Sequence, residues 1–435
     1  MNADRIDALL AELAAEHRVP GAQLALRREN STVTAEVGEQ AHGMGGPVTP
    51  GSAFPLGSLT KPFTATMAMM LVADGDVELD APLARYLPEL GAAADPRLTL
   101  RHVLSHAGGL MSTVDTDRPV SRARWVSRHC READLVHPPG AVFSYSNAGY
   151  VLAGHLVEAV TGMRWAEAVE TILLRPLGIT PAFVVGESPR PAVPGHTVAT
   201  TVRVIDEQNL PEVEEPAGAL ALSAADLVTF GRLHVGDSAL PDLLASETAS
   251  EMRRTVGLAV GPAGIADDWT PGWSAYRHGA RTWFGHDGTG TGTSCHLRFE
   301  PDSGTVLALT TNANTGLAMW DDLVTRLRAE GIDVGSCSLT SVPDAGPPST
   351  GSADCAGKYR NGTTEFDIAV EPDGELYLMV DGVAHSKLTC FDDLRFTMRE
   401  CDGGRMAYVG RFVRDSSSGR VDLLQVSGRL ARRSR

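Results

Sequence analysis

Ile6, Leu9, Leu10 and Leu13 recur at three- and four-residue spacing, which predicts an amphipathic first helix. Val19-Pro20-Gly21 breaks that periodicity, and Ala22 to Leu26 predicts a strand. A Gly/Pro-rich stretch from Gly43 to Pro50 leads to Ser58. A second helix is predicted from Leu59 to Ala73, with Pro62 tolerated in the first turn, where a backbone N–H has no partner to lose. Its run from Thr64 to Leu71 is apolar nearly all round and belongs at the centre of a domain. Further helices are predicted from Leu100 to Leu104, from Ala148 to Thr161, and from Ala224 to Leu233 with Ser223 as cap. Strand patterns return at Cys295 to Phe299 and Thr305 to Asn312. Strands from both ends of a segment enclosing helices indicate an α+β fold rather than repeated βαβ units.

Ser338 to Ala353 is poor in core-forming residues and predicts a linker between a catalytic domain, 1–337, and a small domain, 354–435. Beyond it the pattern turns to strands at Phe366–Val370, Glu375–Met379, Arg395–Met398, Ala407–Phe412 and Val421–Val426, with turns such as Pro372-Asp373-Gly374. A small antiparallel barrel or sandwich is expected. The formal charge of the 435 residues is -16, yet 13 basic and 13 acidic residues balance from Asp354 onward, so the excess lies before the boundary. Such a charge disfavours nucleic acid as a partner. Met1 to His17 has Asp4, Asp7 and Glu12 among its apolar positions, without the basic start or unbroken apolar stretch of a secretory signal. No apolar run is long enough to cross a bilayer, and a cytoplasmic protein is expected. The six cysteines form no C-x-x-C pair and no cluster with histidine, so neither a metal site nor a disulfide scaffold is indicated, and no cofactor is implied.

In Gly57-Ser58-Leu59-Thr60-Lys61 a hydroxyl and an amine stand one turn apart on one helix face. Serine is a weak nucleophile unless a base lies within hydrogen-bond reach, and a lysine amine serves once burial has lowered its pKa. A capped helix with a solvent-facing lysine would show the same spacing. Lysine usage separates the two. Of 38 basic residues only Lys61, Lys358 and Lys387 are lysines, so an arginine-rich chain keeps one lysine before Asp354, where the amine must be able to lose a proton. Tyr145-Ser146-Asn147 offers a phenol that can relay a proton and an amide that can orient the base or hold a substrate amide; a core tyrosine with Asn147 as helix cap is the plain alternative. Gly285-His286-Asp287-Gly288-Thr289-Gly290-Thr291-Gly292 lets a substrate approach the backbone closely. The N–H of Thr289 can pair with that of Ser58 as an oxyanion hole, with Asp287 and Gly288 flanking it, unless the segment is only a glycine-rich turn with a solvated histidine.

In this order, about ninety and a hundred and forty residues apart, the three motifs resemble the serine β-lactamase and penicillin-binding-protein superfamily, in its class C-like branch of esterases, D-amino-acid peptidases and transesterases. Val19-Pro20-Gly21, Leu104-Ser105-His106-Ala107-Gly108-Gly109-Leu110 and Ala217-Gly218-Ala219 support the resemblance. It implies a β-lactamase-like domain, an antiparallel sheet flanked by helices, in which Ser58 is acylated and Lys61 and Tyr145 share the role of base. His286 takes the third-motif place, where many relatives carry lysine. That departure, and the lack of a recognisable carboxylate to activate water, argue against a hydrolytic β-lactamase.

With its C-terminal strands included, the chain resembles the stand-alone penicillin-binding-protein-type thioesterases, which join such a domain to a small lipocalin-like β-domain. The resemblance implies that a peptidyl thioester, brought by a peptidyl carrier protein, acylates Ser58, usually through a D-residue. The peptide's own N-terminal amine then releases it as a macrolactam. Two alternatives share the scaffold: a D-stereospecific peptidase, amidase or esterase, and a silent binding protein, which would have no use for an ionisable Lys61. Arg429, Arg432, Arg433 and Arg435 form a basic end able to cover the cleft or to meet an acidic carrier or substrate carboxylate, a solvated tail being the alternative.

Overall fold

The apolar stripe of the first helix needs a sheet to cover it. In the computed structural model, which describes residues 2–114, 116, 119–205, 207–337, 346–349, 353–401, 407–415 and 418–434, helix α1 (Ala3–Glu16) buries Ile6, Leu9, Leu10 and Leu13. They pack with Leu24, Leu26, Leu307 and Leu309 of the sheet and with Trp320 and Leu323 of a late helix. Each such side chain contributes roughly 1.5–3 kcal/mol of hydrophobic stabilisation.

The sheet is antiparallel and seven-stranded. Its strands are β1 (Gly21–Arg28), β2 (Ser31–Gly38), β3 (Asp268–Trp269), β4 (Ser274–His278), β5 (Arg281–Gly290), β6 (Thr293–Glu300) and β7 (Thr305–Thr311), in the order β2-β1-β7-β6-β5-β4-β3. β6 and β7 are buried along their whole lengths because helices cover both faces. The expected strands at 22–26, 295–299 and 305–312 lie within β1, β6 and β7. The reading from sequence missed β2, β3, β4 and β5. In β5 the glycines that suggested a turn are sites of close packing instead: a Cβ on Gly288 would lie 1.9 Å from the Leu56 carbonyl oxygen.

Helix α2 (Lys61–Ala73) is buried on nearly every side, as its composition demands. Ser58 itself sits in a 3₁₀ turn, Gly57–Thr60, that runs into α2, so the helix expected from Leu59 begins two residues later as an α-helix. Around it stand α3 (Leu100–Leu104), α4 (Asn147–Thr161) and α5 (Ala224–His234), the last with Ser223 and Asp226 forming a capping box. Helix α6 (Gly316–Ala329) lies on the α1 face.

The C-terminal strands close into a barrel of eight: β8 (Gly357–Asn361), β9 (Thr364–Val370), β10 (Leu376–Val380), β11 (Val383–Cys390), β12 (Arg395–Glu400), β13 (Ala407–Arg414), β14 (Val421–Val426) and β15 (Arg429–Arg433). Tyr359, Leu376, Leu388, Phe396, Val421 and Leu424 fill it. Five of these strands are legible in the sequence; β8, β11 and β15 are not. The basic end is therefore no tail. β15 pairs with β8 and completes the closure, and Arg433 donates to the carbonyls of Asp354 and Val421. Arg435 and most of the expected linker lie outside the described residues. Ser427 and Gly428, with φ of 46° and 73°, form a two-residue hairpin turn between β14 and β15. That turn points into the catalytic domain. The Gly428 carbonyl accepts from Tyr145 N at 2.9 Å, and the side-chain Oδ1 of Asn361 on β8 accepts from Ser112 N at 2.9 Å.

Candidate active site

Where the 3₁₀ turn meets α2, the side chains of Ser58 and Lys61 point the same way, and Lys61 Nζ stands 2.9 Å from Ser58 Oγ and 3.0 Å from the Ala217 carbonyl. Lys61 has no exposed surface. Burial pulls its amine down to about 7, against the opposing charge of Glu214 and with help from Arg429. A large share of the amine is thus neutral near pH 7 and can accept the serine proton. Ala217-Gly218-Ala219 has a function in this geometry: its first carbonyl aims the amine.

Tyr145 lies over the same pair. The Lys61 Nζ is 5.1 Å from the centre of its ring, and its hydroxyl hydrogen-bonds with Ser58. Burial pushes the phenol up to about 12, the Ser58 bond opposing, so it remains protonated near neutrality and is able to relay a proton, with Lys61 able to accept one. The stretch around His106 explains how the tyrosine is held. His106 sits at a φ of 56°, its carbonyl accepts from Ser144 N at 2.8 Å, its Nδ1 accepts from Ser146 N at 3.0 Å, and its ring centre is 4.2 Å from that of Tyr145. Ser146, not Asn147, caps α4, accepting from Gly149 N at 2.9 Å. That frees Asn147 to turn into the site, where its Nδ2 donates to Glu214 Oε1 at 2.6 Å.

The third motif is a strand edge. β4 pairs with β5 only from Arg281 to Gly285, so the segment from His286 to Gly290 lies beyond the end of β4 and packs on the turn that carries Ser58. A Cβ on Gly57 would meet the Thr289 carbonyl oxygen at 2.2 Å. In an extended strand the N–H and C=O of one residue leave by the same edge, so the Thr289 N–H also faces Ser58, whose own N–H belongs to the unpaired start of a helix. His286 is buried, its Nδ1 is 2.6 Å from the Asp287 carbonyl, and burial drives it down to about 3, helped by Lys61. It is a neutral imidazole, with no charge to take the place of the lysine that many relatives carry there. Asp287 is turned away from the oxyanion role. Burial raises its carboxyl, but Arg298, at 2.7 and 2.8 Å, and His296, at 2.7 Å, outweigh that and hold it well below the usual carboxylate range.

Two cavities meet at Ser58 and Thr289. One, of about 270 Å³, is lined by Tyr145, Ile265, Trp269, Tyr276, His286 and, from the barrel, Tyr408, Ser427 and Arg429. The Arg429 guanidinium lies 4.9 Å from the centre of the Tyr145 ring. The other, of about 200 Å³, is lined by Asn147, Gln208, Asn209, Glu214, Gly218 and Thr291. Trp269, Gln208 and Glu214 escaped the sequence reading. Glu214 stands in the run Pro211-Glu-Val-Glu-Glu-Pro216, which has the composition of an exposed loop; its neighbour Ala217 was the only signal pointing there.

The β-lactamase family model matches residues 6–330. The chain belongs to the β-lactamase family. Its members are serine acyl-transferases and hydrolases that work through an acyl-enzyme. Penicillin-binding protein 4 of Amycolatopsis lactamdurans is 33% identical over 372 residues, 82% of this chain and 96% of that protein. The crystal structure of SurE is similar from end to end, at a TM-score of 0.88, 39% identity and 99% of both chains, and that of SurE with D-Leu at 0.86 and 38%. A D-stereospecific amidohydrolase from Streptomyces sp. shares the catalytic domain, with a TM-score of 0.58 and 26% identity over 72% of this chain and 95% of that one. The barrel thus belongs to the likeness with SurE and lies beyond the family model. Among the described residues no helix is long and apolar enough to cross a membrane.

Proposed function

We propose that this protein takes a peptidyl thioester onto Ser58 and releases the acyl group by attack of the peptide's own N-terminal amine, giving a head-to-tail macrolactam. The observation that carries the reading is the β14–β15 turn seated on Tyr145, which makes Ser427 and Arg429 part of the wall of the acyl cavity. A wall added by a second domain limits water at the acyl-enzyme, and a macrolactam forms only if the amine competes with water. Lys61 deprotonates Ser58 as its oxygen attacks the thioester carbonyl, the N–H groups of Ser58 and Thr289 hold the oxyanion, and the thiol leaves with a proton returned through Tyr145. A D-configured acylating residue is favoured by the likeness to SurE, solved with D-Leu, and to a D-stereospecific amidohydrolase. The donor would arrive on a peptidyl carrier protein. Exposed Arg429 is placed to meet a carbonyl or carboxylate of the substrate.

Hydrolysis by the same acyl-enzyme, as in a D-stereospecific peptidase, amidase or esterase, is the second reading. Glu214 favours it, being a buried carboxylate in a cavity that reaches Ser58, of the kind not recognisable in the sequence. Incubation with a linear peptide thioester ending in a D-residue decides between them. A cyclic product is expected; linear acid alone overturns the cyclase reading.

A further inference from the structure

The segment 143–146 belongs to no helix or strand, yet it carries Tyr145. Its backbone is pinned from two sides. Within the catalytic domain, Phe143 N donates to the Val260 carbonyl at 2.9 Å, and Ser144 N and Ser146 N donate to His106. From the barrel, Gln425 Nε2 donates to the Phe143 carbonyl at 3.1 Å, Leu430 N donates to Ser144 Oγ at 3.3 Å, and the Gly428 carbonyl accepts from Tyr145 N. We propose that the β14–β15 hairpin is a positioning element for the Tyr145 hydroxyl, with Gln425 as its main positioning residue, so that Ser58 is acylated at full rate only while the barrel is seated. This inference rests on the reading of Tyr145 as the proton relay of acyl transfer, and it gives the cavity wall a second role.

Gln425 is a costly residue at that place. Leu424 and Val426 belong to the barrel core, so the alternation of the strand sends Gln425 outwards. It nonetheless has no exposed surface, and its Oε1 has no partner among the described residues. A buried amide with half of its hydrogen-bonding capacity unmet is destabilising. A leucine would fill the same space without that cost, so what the glutamine adds is its bond to Phe143, two residues before Tyr145. A second clasp holds the other flank. Asn361 of β8 donates from Nδ2 to the Leu430 carbonyl and accepts at Oδ1 from Ser112 N, and the neighbouring Met111 carbonyl accepts from Ser146 Oγ, the helix cap next to Tyr145. The seat is tight: a Cβ on Gly428 would come 2.5 Å from Ile265 and 3.2 Å from Phe143. A phenol that must reach Ser58 from irregular backbone depends on such support, since misplacing a reacting group by about 1 Å costs about a hundredfold.

The test is a double-mutant cycle on acylation by a thioester of N-acetyl-D-leucine, followed as thiol release in a single turnover. Gln425→Leu should lower the acylation rate constant about tenfold when Tyr145 is present, and by less than about twofold in a Tyr145→Phe background, where no hydroxyl is left to place. Ser144→Ala, which removes the acceptor of Leu430 N and asks little of the fold, should lower it about threefold with the same dependence on Tyr145. Equal losses in the two backgrounds overturn the inference. So do unchanged rates in both variants, which, with an altered cyclic-to-linear product ratio, would leave the hairpin a wall against water and nothing more. The wild type gives a reading that needs no variant. The amides of Tyr145 and Leu430, both bonded across the domain boundary, should be similarly protected from hydrogen exchange, and a Tyr145 amide that exchanges as freely as an exposed loop overturns the inference. If Tyr145→Phe by itself leaves acylation unchanged, the relay reading fails and this inference with it; absence of a Ser58 adduct by intact mass would overturn acyl transfer as a whole.

Discussion

Lys61 and Lys358 carry the same side chain into opposite surroundings. Lys61 is fully buried, bonded to Ser58 and Ala217, and burial pulls its amine down to about 7. Lys358, on β8, has a side chain 57% exposed, and its hydrogen bond to Glu365 at 3.0 Å raises its pKa. One is a base that gains and loses a proton near neutrality; the other is a fixed surface cation. Surroundings make the difference, and part of Lys61's surroundings comes from another domain, because Arg429 of β15 adds to the lowering.

The comparison breaks if a permanent cation can serve at Lys61. Ser58→Ala should abolish the acyl adduct, and Lys61→Arg should slow acylation by a thousandfold or more on the order expected for loss of the activating base, measured as thiol release. A fully active Lys61→Arg enzyme would rule out the neutral amine. Tyr145→Phe keeps the ring but removes the relay and should cost about a hundredfold in the same assay. A smaller effect lies in the pH profile. Only the neutral amine of Lys61 accepts the proton, so acylation should rise with pH through about 7 and then level off. Arg429→Met removes a cation that lowers this amine, so the acid limb should move to higher pH; a limb that stays in place would show that the barrel does not tune the base. Lys358→Arg, the control, should leave both the chemical denaturation midpoint and acylation as they were.

How much of this was legible depended on the range of the interactions. The centre of the catalytic domain follows from local pattern: α1, α2 and α5 are amphipathic or wholly apolar stretches, α5 with Ser223 as a recognisable cap, and Ser58 and Lys61 are joined by helix geometry alone. β5 was illegible because its glycines serve contacts with Leu56 and with the Ser58 turn, which are remote in sequence. β15 resembled a basic tail because arginines flank its only two apolar residues, of which Ala431 packs into the barrel core and Leu430 is buried outside that core.

By itself the sequence determined what a helical turn and a count of residue types can carry: a serine one turn from a lysine, in a chain that otherwise prefers arginine. Only the tertiary structure decided that the lysine is dry enough to be a base, that His286 is neutral, that Asp287 is committed to Arg298, and that Glu214 and Arg429 reach the site from opposite sides. The physical reason is the same in each case. Protonation and partnership are set by desolvation and by charges a few ångströms away, and the fold brings those groups together both from neighbouring strands, as with Asp287 and Arg298, and from remote segments, as with Lys61, Glu214 and Arg429.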